Sequence, residues 1–379
     1  MSVKKTNYYA YLDRLRTIAI ISVVLDHSAI VGYKLFYDSF PDMWNSMGLV
    51  KKIICSISWE YSRLGVPIFM MISGALILNS KFTCKDDILN FYKKSIIPLV
   101  ICNEIWVLVY WGINVITNMC NIEYVYTGGK EDISFVNIIK QLLLFKRGGY
   151  PNIWYLPAII GIYFFLPFVS ICLEKYTEII KWIVLYTLIV VYSFTDLNNL
   201  MLINDINFSF DSALALGFGG QVFGGGIYIV YIILGYWLHN GKFNKTPYWI
   251  WCLLVVLSTV IATIGMTVSY DRGLNILFFH DNDSLLQLLI VISLFELARK
   301  YATCTEMERY VARYSFLIYL LHYPVITLLN YAMKCYGFER LGFVRTVSLL
   351  IGSFAICLML SVIIPKSRLV RKYVFHIRE

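Results

Sequence analysis

Ionisable side chains interrupt an apolar run near the start of the chain: Leu12-Asp13-Arg14-Leu15-Arg16-Thr17, then Ile18 through Leu25, then Asp26-His27. Arg16 and His27 are eleven residues apart. At 3.6 residues per turn they share one helix face, about 16–17 Å or three turns apart. A guanidinium at one end can hold a phosphate. An imidazole, with an ordinary pKa of about 6.5, can remove a proton from a hydroxyl without large tuning. A second histidine lies in Tyr314-Ser315-Phe316-Leu317-Ile318-Tyr319-Leu320-Leu321-His322-Tyr323-Pro324. His322 sits at a depth similar to that of His27, so the two can face one cavity. The bland reading is that each caps a neighbouring helix through a hydrogen bond. His239, His280 and His376 fall at span ends or in loops and read as surface residues, and Arg14 reads as a solvated anchor.

Other polar residues stand out for the same reason, because an ionisable group at the bilayer centre costs about 2.5–3.5 kcal/mol on insertion scales. Glu60 and Arg63 are spaced i, i+3 and can pair at the outer end of a span. After them, Pro67 through Gly74 places small residues, Ser73 among them, where a helix or ligand can approach. Glu104 lies within a span, and Glu296 lies near a span end beside Arg299 and Lys300. Asn152, Trp154 and Tyr155 open another span from outside, as an aromatic interface belt or as a binding site.

The elements that must position these groups follow from composition. Of 379 residues, 59% are hydrophobic and 15% charged, against about 25% charged in soluble domains. The apolar residues sit in long runs, which excludes a disordered, collagen-like or disulfide-stapled chain. The expected architecture is an all-α membrane protein, a polytopic bundle of about ten transmembrane helices within one module over 1–379. The spans are approximately 15–33, 62–79, 95–118, 153–172, 180–195, 222–239, 248–269, 284–300, 310–333 and 343–365, each near the roughly 20 residues a bilayer requires. Residues 213–226 form a re-entrant segment or extend the sixth span. External segments 34–61, 119–152 and 196–221 are short enough to be lids or amphipathic helices.

With both termini cytoplasmic, 21 of the 33 Lys and Arg residues fall on the cytoplasmic side, and 13 of the 24 acids fall outside. That asymmetry fits the positive-inside rule for a multi-pass protein of the cell membrane. The +9 charge thus orients the chain against anionic lipid and needs no nucleic acid. No cleavable signal peptide is expected. The nine cysteines are scattered without a Cys-x-x-Cys and read as apolar packing residues.

Four passages, in order, resemble the acyltransferase-3 family of integral membrane acyltransferases. They are the Arg16–His27 string, the helix Phe69–Leu76 preceded by Arg63, the stretch from Trp154-Tyr155-Leu156 to Pro167, and Ser315–Pro324 with its Tyr-Leu-x-His-x-Pro pattern. Lys93-Lys94 stand where that family often carries a fuller arginine cluster. The resemblance implies transfer of an acyl group, most often acetyl from acetyl-CoA, to a hydroxyl of an envelope glycan or glycolipid, with no metal. It implies His27 as base, Arg16 with Lys93 and Lys94 on the donor, and His322 at the catalytic centre. From the residues themselves, Arg63, Glu104 or His322 is expected to orient the acceptor or stabilise the oxyanion, and Ser73, Asn152, Trp154 and Tyr155 are expected to contact the acceptor. Relatives with a fused esterase-like domain are longer, so here the acceptor is expected to meet the membrane module directly. Two other classes stay open: a transporter or flippase using the histidines as a proton relay, and a module that binds a small polar molecule.

Overall fold

A computed structural model describes residues 9–120, 122, 133–143, 152–206, 227–274, 282–300, 303–338, 342–363 and 374. Every regular element among them is helical. Seven helices are long and apolar enough to cross a membrane: Ala10–Tyr33, Lys85–Met119, Tyr155–Lys175, Thr177–Ile203, Tyr248–Asp271, Glu306–Cys335 and Phe343–Ile363. The other three expected spans coincide with shorter helices, Gly65–Ile77, Tyr228–His239 and Leu285–Lys300. In chain order the elements are α1 (Ala10–Tyr33), α2 (Phe40–Asn45), α3 (Leu49–Ser62), α4 (Gly65–Ile77), α5 (Lys85–Phe91), α6 (Ile97–Met119) and α7 (Phe135–Leu142). There follow α8 (Tyr155–Lys175), α9 (Thr177–Thr187), α10 (Phe194–Ile203), α11 (Tyr228–His239), α12 (Tyr248–Asp271), α13 (Leu285–Lys300), α14 (Glu306–Cys335) and α15 (Phe343–Ile363). The glycine-rich stretch 213–226, His280 and His376 lie outside the described residues.

Prolines explain where the helices change. Pro67 has no N–H and its ring crowds the carbonyl four residues back, which belongs to Arg63. The chain breaks there: α3 ends at Ser62, Arg63 and Leu64 form a turn, and α4 begins at Gly65. Pro98, at the start of α6, follows a π-helical turn over Tyr92–Ile96 that joins α5 to α6, an accommodation expected where an i→i−4 bond is lost. Pro324 lies inside α14, and the carbonyl it leaves without a helical donor, that of Leu320, accepts from the Tyr110 hydroxyl at 2.5 Å. The expected short span 180–195 is instead part of one 27-residue helix, Thr177–Ile203. A π-helical stretch, Leu188–Ser193, carries it onward, and Asp196 lies within it rather than after it.

α1 is the central post, packed against α3, α4, α13, α14 and α15. Its middle is buried on nearly every side, with Leu15, Ala19, Ile20 and Val24 wholly enclosed. α4 and α11 meet at two glycines: a Cβ on Gly74 would run into the backbone of Ile232, and one on Gly235 into the backbone of Met71. Such contact replaces side-chain packing by backbone approach, the device that joins helices in lipid, where the hydrophobic effect does not drive association. α12 has the opposite character, with Leu253, Val256, Leu257, Val260, Ile261 and Ile264 all exposed. That face matches lipid. Of the nine cysteines, Cys55, Cys102 and Cys357 are buried packing residues, whereas Cys84, Cys120, Cys172, Cys252 and Cys335 are exposed.

Candidate active site

α1 runs without a break from Ala10 to Tyr33, so Val23, Asp26 and His27 stay on adjoining positions of one face. That face borders a cavity of about 150 Å³, smaller than the roughly 300–1,000 Å³ of drug-sized ligand pockets. The α3–α4 turn supplies Ser62 and Arg63, and α4 adds Val66 and Phe69. Asn152, Trp154 and Tyr155 at the entry to α8, Asn282 before α13, and Ser315, Phe316 and Tyr319 of α14 complete the wall. The lining is mainly aromatic and aliphatic, with a few polar groups converging on it.

The charged part of the wall is an ion pair. Arg63 Nη1 lies 3.6 Å from Asp26 Oδ1, and Ser62 Oγ donates to the same carboxylate oxygen at 3.2 Å. The Arg63 guanidinium also lies over the Trp59 ring, 5.3 Å from its centroid, a cation–π contact that helps hold a charge away from water. Glu60 does not take part: it is wholly buried and both carboxylate oxygens lack a hydrogen-bond partner. The expected Glu60–Arg63 pair is therefore replaced by Asp26–Arg63. The helix ends between the two residues, so Arg63 turns to α1 rather than back along α3.

His27 is 8% exposed and lines the cavity. Its ring packs against His322 and Tyr323, each with a centroid separation of 5.1 Å. His322 is fully buried and stands behind His27, away from the cavity wall. The two histidines are thus brought together, as their matched depth suggested, but only one reaches the cavity.

Asn152 is held in a fixed sense. Its Nδ2 donates to the Tyr319 carbonyl at 3.2 Å and to the Tyr110 hydroxyl at 3.0 Å, while the Tyr319 hydroxyl donates to the Asn152 carbonyl. Its side-chain Oδ1 is buried without a protein partner. Asn282 repeats the pattern, with Nδ2 donating to the Tyr228 hydroxyl at 2.8 Å and Oδ1 without a protein partner. Trp154 stacks on Tyr228 at 6.2 Å and 28°. Two asparagines and a broad aromatic face therefore border one cavity.

The remaining expected residues lie elsewhere. Arg16 is at the head of α1 and its guanidinium binds Asp13 at 2.6 Å. Lys93 and Lys94 are exposed on the π-helical turn. Ser73 bonds to the Phe69 carbonyl and the Tyr163 hydroxyl, each at 3.0 Å, and Glu104 accepts from Asn103 at 3.1 Å; neither lines the cavity. Arg14 is not simply solvated, because its Nε donates to Glu308 at 2.9 Å. His239 is half-buried rather than a free surface residue, and its Nδ1 is bonded to the Tyr11 hydroxyl. Glu296 is fully buried and pairs with Arg299. Among the described residues no group of three His, Cys, Asp or Glu side chains is placed to hold a metal ion.

Asp26, Ser62, Asn282 and Ser315 are polar wall residues that the sequence reading did not assign to a site. Asp26 had a signal, as a carboxylate at membrane depth beside His27. Asn282 and Ser62 had none, since both arrive through the packing of distant segments.

A bundle of apolar helices around a cavity that holds a histidine and an ion pair is the frame of a polytopic membrane protein. Residues 9–362 match the family model described as an acyltransferase domain, so the chain belongs to the acyltransferase-3 family, which implies acyl transfer. No curated protein and no solved structure matches it.

Proposed function

We propose that the protein is a membrane O-acyltransferase of the cell membrane, moving an acyl group, acetyl in the first instance, from acyl-CoA to a hydroxyl of an envelope glycan or glycolipid. The observation that carries this reading is the open edge of His27 in a cavity bordered by the Asp26–Arg63 pair and by Asn152, Trp154 and Tyr155. His27 removes the acceptor hydroxyl proton as the oxygen attacks the thioester carbonyl. The oxyanion of the tetrahedral intermediate develops near Arg63, whose charge stabilises it. The carbon–sulfur bond then breaks, and the leaving CoA thiolate takes the proton back from His27. The amides of Asn152 and Asn282 in the wall suit a polyhydroxylated acceptor, and Trp154 and Tyr155 suit the apolar face of a sugar ring. These features support a glycan acceptor.

The donor approaches from the end of the bundle where α1 begins. Arg16, three turns from His27 on an unbroken helix, is within reach of a CoA phosphate when the pantetheine arm extends toward the cavity. The charge asymmetry along the chain supports placing that end, and both termini, in the cytoplasm, with the ten apolar helical segments as spans.

The test is a thioester assay on purified protein, joined to mass spectrometry of envelope glycans. His27→Ala should lower acceptor-dependent CoA release by about 10²–10⁴-fold, the usual contribution of a general base, and remove an acetyl increment from the glycans. Wild-type O-acetylation by a normally expressed His27→Ala protein would overturn the assignment. Movement of the acceptor without CoA release would instead identify a transporter.

A further inference from the structure

We propose that His322 is a positioning residue that sets the tautomer of His27, keeping a proton on Nδ1 and directing the bare Nε2 lone pair into the cavity. The argument begins with His322 itself. Its Nδ1 lies 2.7 Å from the Tyr319 carbonyl oxygen and 3.1 Å from that of Ile318. A carbonyl oxygen only accepts, so His322 Nδ1 must carry the hydrogen. In a neutral imidazole that leaves Nε2 as a bare acceptor, and this atom is buried without a partner.

Across the contact, His27 Nδ1 is also buried without a partner, and the ring centroids are 5.1 Å apart. Two imidazoles joined by one N–H···N bond of roughly 3 Å have centroids about 5 Å apart, because each ring atom lies about 1.1 Å from its centre. The observed separation of 5.1 Å is the one this bond requires when Nδ1 of His27 faces Nε2 of His322. A buried polar atom left unpaired is costly, and this bond satisfies two at once, provided that His27 carries its proton on Nδ1. The opposite tautomer would set two lone pairs against each other and place an N–H toward the substrate, where it could not act as a base.

The catalytic consequence rests on His27 being the base. During attack, Nε2 takes the hydroxyl proton and His27 becomes an imidazolium with hydrogens on both nitrogens. The Nδ1–H···Nε2 bond to His322 is then charge-assisted and stronger. No proton passes to His322, and the Nε2 proton goes on to the thiolate.

The experiment is nitrogen NMR of the purified full chain labelled with ¹⁵N-histidine at neutral pH, with the His27 signals assigned by their loss in His27→Gln. Wild type should show a pyrrole-type Nδ1 and a pyridine-type Nε2 at His27. His322→Ala should mix the tautomers. His322→Gln, whose amide oxygen can accept from Nδ1–H, should restore the single form. In acyl transfer, His322→Ala should lower kcat toward the general-base limit of about 10²–10⁴-fold with KM unchanged, and His322→Gln should recover part of it. A proton on Nε2 of wild-type His27, or an unchanged tautomer in His322→Ala, overturns the proposal even if activity falls. If His322→Ala does not fold, the wild-type spectrum and His322→Gln still decide. The expected tautomers with no acyl transfer by wild type would overturn the enzyme reading and leave the positioning of His27 intact.

Discussion

The Asp26–Arg63 pair concentrates most of the electrostatic risk in this cavity. The two side chains are 14% and 26% exposed and 3.6 Å apart, so each depends on the other for compensation. Removing one partner of a buried pair costs up to about 3–5 kcal/mol because a charge is left behind, and partial exposure places this pair below that range. Asp26→Ala and Arg63→Ala should each lower the thermal unfolding temperature in detergent, and the double variant should be more stable than the sum of the two losses predicts. Simple additivity would show that the two charges are not coupled. Arg16 should behave differently. Its partner Asp13 is on the same helix, and it lies outside the cavity wall. Arg16→Ala is therefore expected to raise the KM for acetyl-CoA while kcat stays near wild type, and an unchanged donor KM would remove Arg16 from the donor path.

Among the elements, the α3–α4 break matters most for the site. An uninterrupted helix through residues 49–77 would carry Arg63 in helical register with Glu60. The carbonyl conflict imposed by Pro67 ends α3 at Ser62 and frees Arg63 to meet Asp26. The carbonyl released by Pro324 has the same logic: it anchors Tyr110, which in turn holds Asn152. The two prolines convert helix interruptions into fixed polar groups at membrane depth. The α4–α11 contact shows the opposite demand, for uninterrupted close approach. Gly235→Leu and Gly74→Leu should each abolish recovery of folded, monodisperse protein, because the added side chain meets backbone rather than a movable side chain. Gly112→Leu, at a glycine with open space around its Cβ position, should be recovered normally. Equal recovery of all three in size-exclusion profiles would contradict the packing.

For the whole molecule, the proposed orientation rests on the charge asymmetry, and reporter fusions to the two termini should both report the cytoplasmic side; an external signal from either would overturn it. The membrane character, the helical class and the family were all legible in the sequence, because apolar run length and ordered motifs are local properties of the chain. His27, Arg63, Asn152, Trp154 and Tyr155, each an unusual group at membrane depth or in a motif, were also singled out by the sequence, and all five line one cavity. The polar partnerships were not legible. Periodicity placed Glu60 beside Arg63, but a proline-driven break gave Arg63 to Asp26. Matched depth placed His27 and His322 together, yet only packing put one at the cavity and the other behind it. Ser73 and Glu104 were grouped with Asn152 on the acceptor, yet Ser73 bonds to Tyr163 and Glu104 accepts from Asn103, and neither lines the cavity. Sequence by itself determined which segments are apolar enough to enter a bilayer and which ionisable groups interrupt them, since transfer free energy sums along a local window. Only the tertiary structure decided which of those groups share a cavity, because that depends on where helices break and how they rotate against neighbours distant in the chain.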